Sequence, residues 1–142
     1  MVETAKPRIL CLDDQPENLA VRKVLLEQFG CEVVTVTNSS SCLHRVVQET
    51  FDLVLLDYHL AEEVTGEDVA RDIAALHPDM PMVMLTGDPK IPKSACECVD
   101  KVLIKGSSGP AELLDTIQTL LPRGRIKPRR EFIVPAPLSK TS

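Results

Sequence analysis

Short apolar runs alternate with amphipathic stretches along the chain. The runs are Arg8-Ile9-Leu10-Cys11-Leu12, Glu32-Val33-Val34-Thr35-Val36, Leu53-Val54-Leu55-Leu56, Met82-Val83-Met84-Leu85 and Lys101-Val102-Leu103-Ile104. Near-continuous apolarity, rather than strict alternation, suits strands covered on both faces, as in a parallel sheet. Between the runs lie helical patterns. Residues 16–29 open on Pro16, repeat apolar positions at Leu19, Val21, Leu25, Leu26 and Phe29, and stop before Gly30. Residues 40–48 follow the N-cap candidates Asn38 and Ser39. Residues 67–76 carry Val69, Ala70, Ile73 and Leu76 and end before Pro78. Residues 93–99 suffice for a short helix, and 111–121 lie between Pro110 and Pro122. There is no internal repeat.

This alternation predicts an α/β fold: a five-stranded, doubly wound parallel sheet with helices on both faces. The strand order 2-1-3-4-5 puts a switch point between strands 1 and 3, and such sheets bind ligands beyond the strands' carboxyl ends at that point.

Composition narrows the class. The chain has 142 residues, 44% of them hydrophobic and 26% charged, enough for one domain with its own core. No apolar run reaches the length of about 18 residues that a membrane helix needs. Met1 to Pro7 contain no apolar leader, so a cytoplasmic domain without membrane contact is expected. The five cysteines, Cys11, Cys31, Cys42, Cys96 and Cys98, read as reduced and mostly packed in the core. Cys96-x-Cys98 has no second Cys/His pair at ligand spacing, so core packing is preferred there over metal binding.

Charge divides the chain. Residues 1–122 hold 10 Lys and Arg against 20 Asp and Glu, whereas 123–142 hold six basic residues and one acid. Direct nucleic-acid binding by so acidic a body is not expected, because phosphate contacts need a basic surface. The stretch Arg123 to Arg130 is followed by the apolar, proline-broken Phe132 to Leu138. The bland reading is a disordered tail, too short for a DNA-binding or enzymatic domain. The other readings are docking onto the acidic body, its own or a neighbour's, and weak contact with nucleic acid or a membrane surface.

The candidate chemistry sits where strands end. Strand 1 runs into Asp13-Asp14, strand 3 into Asp57, strand 4 into Thr86 and strand 5 into Lys105. Taken singly, Asp14 before Pro16 is a helix cap, Thr86-Gly87-Asp88-Pro89 a turn and Lys105 a surface lysine. In the predicted order they converge on one rim. Two carboxylates about 5 Å apart repel by roughly 3 kcal/mol at an effective dielectric near 20. Three therefore need a proton or a hard cation such as magnesium, which completes its shell with phosphate oxygens. Lys105 adds a positive charge and Thr86 a hydroxyl donor, a combination suited to a phosphoryl group. A carboxylate there can itself be the nucleophile and form an acyl phosphate.

At these residues the chain resembles the receiver (response-regulator) domains of two-component signalling. The resemblance spans residues 7–121 and rests on Leu12-Asp13-Asp14, Leu53-Val54-Leu55-Leu56-Asp57, Gly66, Leu85-Thr86-Gly87 and Ile104-Lys105. It implies a flavodoxin-like fold, a receiver domain over 1–122 and a phosphorelay switch rather than a metabolic enzyme. Asp57 would accept a phosphoryl group from a histidine kinase or phosphotransfer protein, with phosphotransfer and dephosphorylation catalysed by the domain itself. Mg2+ would be held by Asp14, Asp57 and the backbone carbonyl of His59, with Asp13 acting through a metal-bound water. Thr86 would hydrogen-bond the phosphoryl group and Lys105 would pair with it. His59 and Asp88 hold the positions that tune phosphate lifetime. The signal would pass to an unknown downstream protein, and homodimer formation is compatible with this class.

The chain departs from the family pattern in places. Leu60-Ala61 replace Met-Pro after the acceptor, in a slightly longer loop. Val102 replaces the aromatic three residues before the lysine, which puts the usual Thr/aromatic switch in doubt. Lys105-Gly106 replaces Lys-Pro, so a cis bond is not expected. The segment from Thr86 to Lys105 is short and holds Pro89 and Pro92, so its helix should be short and its partner recognition unusual. These departures keep open a phosphorylation-independent, receiver-like binding module. A haloacid-dehalogenase-like phosphohydrolase fits poorly, since Asp57-Tyr58-His59 lacks the second acid of Asp-x-Asp. A flavin-binding flavodoxin also fits poorly, since this chain has no phosphate-cradling loop after strand 1 and few aromatics.

Overall fold

The computed structural model describes residues 6–106 and 109–121; the basic stretch 123–142 lies outside the described residues. Ten elements alternate along the chain: β1 (Arg8–Leu12), α1 (Pro16–Gln28), β2 (Glu32–Val36), α2 (Ser39–Gln48), β3 (Leu53–Asp57), α3 (Gly66–Leu76), β4 (Met82–Thr86), α4 (Lys93–Glu97), β5 (Lys101–Ile104) and α5 (Pro110–Leu120). The five strands pair in parallel in the order β2-β1-β3-β4-β5, as the alternation predicts.

Alternate residues of each strand feed two separate cores. Ile9, Cys11, Leu53, Leu55, Val83, Leu85 and Leu103 pack with Leu19, Leu26 and Phe29 of the α1 region and Leu113, Leu114 and Ile117 of α5. Leu10, Leu12, Val54, Leu56, Met82 and Met84 pack with Cys42 and Val46 of α2, Val69, Ala70 and Ile73 of α3, and Ala95 of α4. β3 and β4 are buried at every position, which is why their sequences run apolar without alternation.

Local signals set the helix ends. Pro16 and Pro110 open α1 and α5 at positions where a missing N–H costs nothing. Asn38 caps α2 by accepting from the Ser41 N–H at 2.8 Å. α3 starts one residue before the predicted 67 because Thr65 and Asp68 form a reciprocal capping box. α4 is a single short helix of five residues.

Two sequence expectations are corrected. Val21, placed on the apolar stripe of α1, is 71% exposed. Cys11, Cys31 and Cys42 are buried, but Cys96 is exposed and Cys98 half-buried, since residues two apart on a helical turn point to different sides and only Cys98 lies with Ala95 against the core. Burial pushes the thiols of Cys11 and Cys42 up to about 12 and that of Cys31 up to about 11. Among the described residues, no helix is long and apolar enough to cross a membrane.

Candidate functional site

The parallel register builds one rim from four strand ends. Leu12 pairs with Leu56 across β1 and β3, so Asp13 and Asp57 leave adjacent strands side by side. Asp57 pairs with Leu85 across β3 and β4, and the Lys105 N–H donates to the Thr86 carbonyl at 2.7 Å. The sequence-predicted residues Asp13, Asp14, Asp57, Thr86 and Lys105 therefore share one end of the sheet.

The three carboxylates form a cluster in which one oxygen of each lies within 4.8 Å of the others. Asp13 and Asp57 are buried and Asp14 is half-buried, so the cluster opens toward solvent on the Asp14 side. Lys105 bridges the two buried acids, its Nζ lying 2.9 Å from Asp57 Oδ1 and 3.2 Å from Asp13 Oδ2.

Asp13 is the more heavily compensated acid. Its Oδ1 accepts from the Gln15 N–H at 2.9 Å. Its Oδ2 accepts from Lys105 Nζ, from Arg22 Nη2 at 3.1 Å and from Asn18 Nδ2 at 3.5 Å. Burial pushes its carboxyl upward, but the Gln15 N–H together with the charges of Lys105 and Arg22 prevails, and the net shift is downward. Asp57 moves the other way. Burial and the like charges of Asp13 and Asp14 outweigh its bond to Lys105, so its carboxyl is held above the ordinary range.

Gly66 lets the site close. Its N–H donates to the Tyr58 carbonyl at 2.8 Å, tying the start of α3 to the residue after Asp57. A Cβ there would lie 2.9 Å from Tyr58 Cα and closer still to the Asp57 carbonyl oxygen. Tyr58 is buried and presents its ring edge-on to the exposed His59, with centroids 4.8 Å apart. Thr86 is fully buried, and its hydroxyl faces Asp88 rather than the carboxylates: it donates to the Asp88 carbonyl and accepts from the Asp88 N–H, both at 3.0 Å. Val102, in the position of the usual aromatic, is half-buried against the core under α2, α3 and α4.

Sequence reasoning missed Arg22 and Asn18. A signal existed for Arg22: it lies three residues after Leu19 and four before Leu26, on the face that α1 turns inward.

The donor set is made of hard oxygens, carries three negative charges in a small volume and is partly open. That fits a hard divalent cation such as magnesium. The family model for the response regulator receiver domain matches residues 9–118. The chain belongs to the response regulator receiver family.

The receiver is 39% identical over 85 residues to the sensor protein GacS of Pseudomonas syringae pv. syringae, a match covering 56% of this chain and 9% of that protein. The chain thus spans only a small part of the GacS relatives it matches. Among solved structures, the response regulator TrrA of Thermotoga maritima in complex with Mg(2+)-BeF superposes with a TM-score of 0.76 at 27% identity, over 81% of this receiver and 99% of that chain. A structure of the histidine kinase ThkA in complex with TrrA gives a TM-score of 0.73 at 27% identity, over 82% of this receiver and 99% of that chain.

Proposed function

We propose that this receiver, residues 1–122 with a basic tail over 123–142, takes a phosphoryl group on Asp57 and signals by protein contact. The donor is the phosphohistidine of a histidine kinase or of a phosphotransfer protein. An Asp57 Oδ attacks phosphorus, the P–N bond breaks with its electron pair moving to the imidazole nitrogen, and an acyl phosphate forms. The observation that supports this reading most is the buried Asp57 carboxylate paired to Lys105 at 2.9 Å within the acidic cluster. The kinase complex of TrrA supports the donor class.

Asp14, Asp57 and the His59 carbonyl would hold Mg2+, with Asp13 acting through water; when bound, the ion would supply positive charge against the phosphoryl oxygens. The Mg(2+)-BeF complex of TrrA supports that assignment. Lys105 pairs with the transferred group from the other side, staying within reach of both Asp57 and Asp13. Thr86 reaches the group only by giving up its bond to the Asp88 carbonyl, so phosphorylation frees the turn that leads into α4. Dephosphorylation follows by water attack on phosphorus with Asp57 as leaving group, at a rate tuned by His59 and Asp88.

Intact mass after incubation with a small-molecule phosphodonor and Mg2+ tests this reading. One labile phosphoryl adduct is expected on the wild type and none on Asp57→Asn. Equal adducts on both proteins would move the acceptor elsewhere. No adduct and no Mg2+ binding would favour the phosphorylation-independent module.

A further inference from the structure

Arg22 is the one charged residue of the rim that the phosphoryl chemistry above does not use. It reaches Asp13 from α1 with Nη2 at 3.1 Å, and its side chain is only 11% exposed. Its Nη1 is buried and finds no hydrogen-bond partner among the described residues. It lines a cavity of about 320 Å³ with Asn18, Val21, Leu25, Lys105 and Leu113, between α1 and the β5–α5 junction. A guanidinium brings a permanent positive charge wherever it is placed.

The charge count at the rim then changes. Asp13, Asp14 and Asp57 carry three negative charges and Lys105 one positive; Arg22 adds a second positive charge and brings the net to minus one. Asp13 is also saturated: Gln15 occupies Oδ1, while Arg22, Lys105 and Asn18 share Oδ2. Any group entering the pocket meets an Asp13 already bound to α1.

We infer that Arg22 is a resident counter-ion that sets the affinity of the acidic pocket for divalent cations. It is a positioning residue, acting through Asp13. It competes with an incoming cation for that carboxylate and leaves Asp14 and Asp57 as the carboxylates on offer. It also separates two duties of Lys105. When a phosphoryl group draws Lys105 fully to Asp57, Arg22 still neutralises Asp13, so the buried acid is never left without a partner.

This inference rests on the proposed cation site, and the test separates the two. Mg2+ binding is measured at low salt by calorimetry and by the fluorescence of Tyr58, the sole tyrosine in a chain without tryptophan. Removing one nearby positive charge from a weakly shielded pocket should tighten Mg2+ binding about tenfold in Arg22→Gln. Arg22→Lys, which keeps the charge, should stay within about threefold of the wild type. Added salt should narrow the gap between Arg22→Gln and the wild type. A purely structural Arg22 would give the opposite sign, since a loosened Asp13 and α1 would weaken binding. Unchanged or weaker Mg2+ binding in folded Arg22→Gln therefore overturns the inference. Should that variant not fold, Arg22→Met, which refills the apolar side of the cavity, carries the same expectation. Absence of Mg2+ binding in the wild type and every variant would instead remove the cation site itself, and Arg22's role with it.

Discussion

Gly66→Ala is the substitution whose cost can be read most directly from the rim. An added Cβ would meet the Asp57 carbonyl oxygen, Tyr58 Cα at 2.9 Å and Met84 Sδ at 2.8 Å. Two of the three are backbone atoms of the strand end that carries Asp57, so no rotamer change relieves them. Restoring ordinary contacts needs roughly 1 Å of separation between α3 and the end of β3, in a core that resists overpacking at about 1–3 kcal/mol. Alanine's better helix propensity recovers up to about 1 kcal/mol. The displaced start of α3 strains the 2.8 Å bond from the Gly66 N–H to the Tyr58 carbonyl. A net loss of about 2 kcal/mol follows, or a fall in Tm of about 4–8 °C for a domain of this size. Urea unfolding followed by far-UV circular dichroism measures it. Gly87→Ala is the control, since nothing lies within 4 Å of its Cβ position, and it should change stability by less than about 0.5 kcal/mol. A Gly66→Ala protein as stable as the wild type would refute the close-approach argument.

The remaining predictions concern charge and thiol access. Asp57, with its carboxyl held high, contributes stability below the unfolded value and loses it as pH rises through the folded one. Asp57→Asn should therefore raise stability at pH 7 by about 1 kcal/mol, the relieved repulsion being partly offset by the lost Lys105 bond; a loss of that size would contradict the charge reading. Asp13 has the opposite sign: its lowered carboxyl gives stability above the unfolded value that disappears as pH falls through the folded one. Asp13→Asn should cost about 3 kcal/mol at pH 7 by leaving Arg22 buried without its partner, and urea midpoints from pH 3 to 7 would show the loss confined to the upper end. In native protein at pH 8, iodoacetamide should modify Cys96 first and Cys98 more slowly, while Cys11, Cys31 and Cys42 react only in urea; early labelling of Cys42 by peptide mass would show the α2 face to be open.

The sequence made most of the site legible because its residues punctuate apolar runs. A polar side chain at the carboxyl end of a short strand must emerge at the sheet's rim; Asp57 and Thr86 end the buried strands β3 and β4, and Lys105 follows the four-residue β5. Aspartates that precede strands look similar on paper but serve the opposite end of the sheet. Asp52 accepts from the Arg8 N–H at 2.7 Å and Asp100 from the Met82 N–H at 2.8 Å, each pinning the start of a neighbouring strand. What the sequence hid was rotation and reach. The apolar spacing of α1 predicts Val21 inward, whereas Arg22 and Leu26 occupy that face and Val21 faces solvent. The Thr86 hydroxyl turns to Asp88, an orientation set by a two-residue turn that no periodicity encodes.

The opposite shifts of Asp13 and Asp57 follow from one asymmetry in the fold. β1 lies next to the β2 side and runs directly into α1, so Asp13 collects a backbone N–H and two side chains from the helix that follows it. β3 runs instead into the long loop before α3, and the side-chain cation that reaches Asp57 comes from β5, two strands away. The nearer acid is thus fixed by its own connection, while the central acid depends on a distant lysine that it shares. A carboxylate that is buried, under-compensated and bordered by another acid stands to gain most from an added cation or from covalent capping. The connection that follows each strand, rather than the aspartates themselves, decides which of them is left under-compensated.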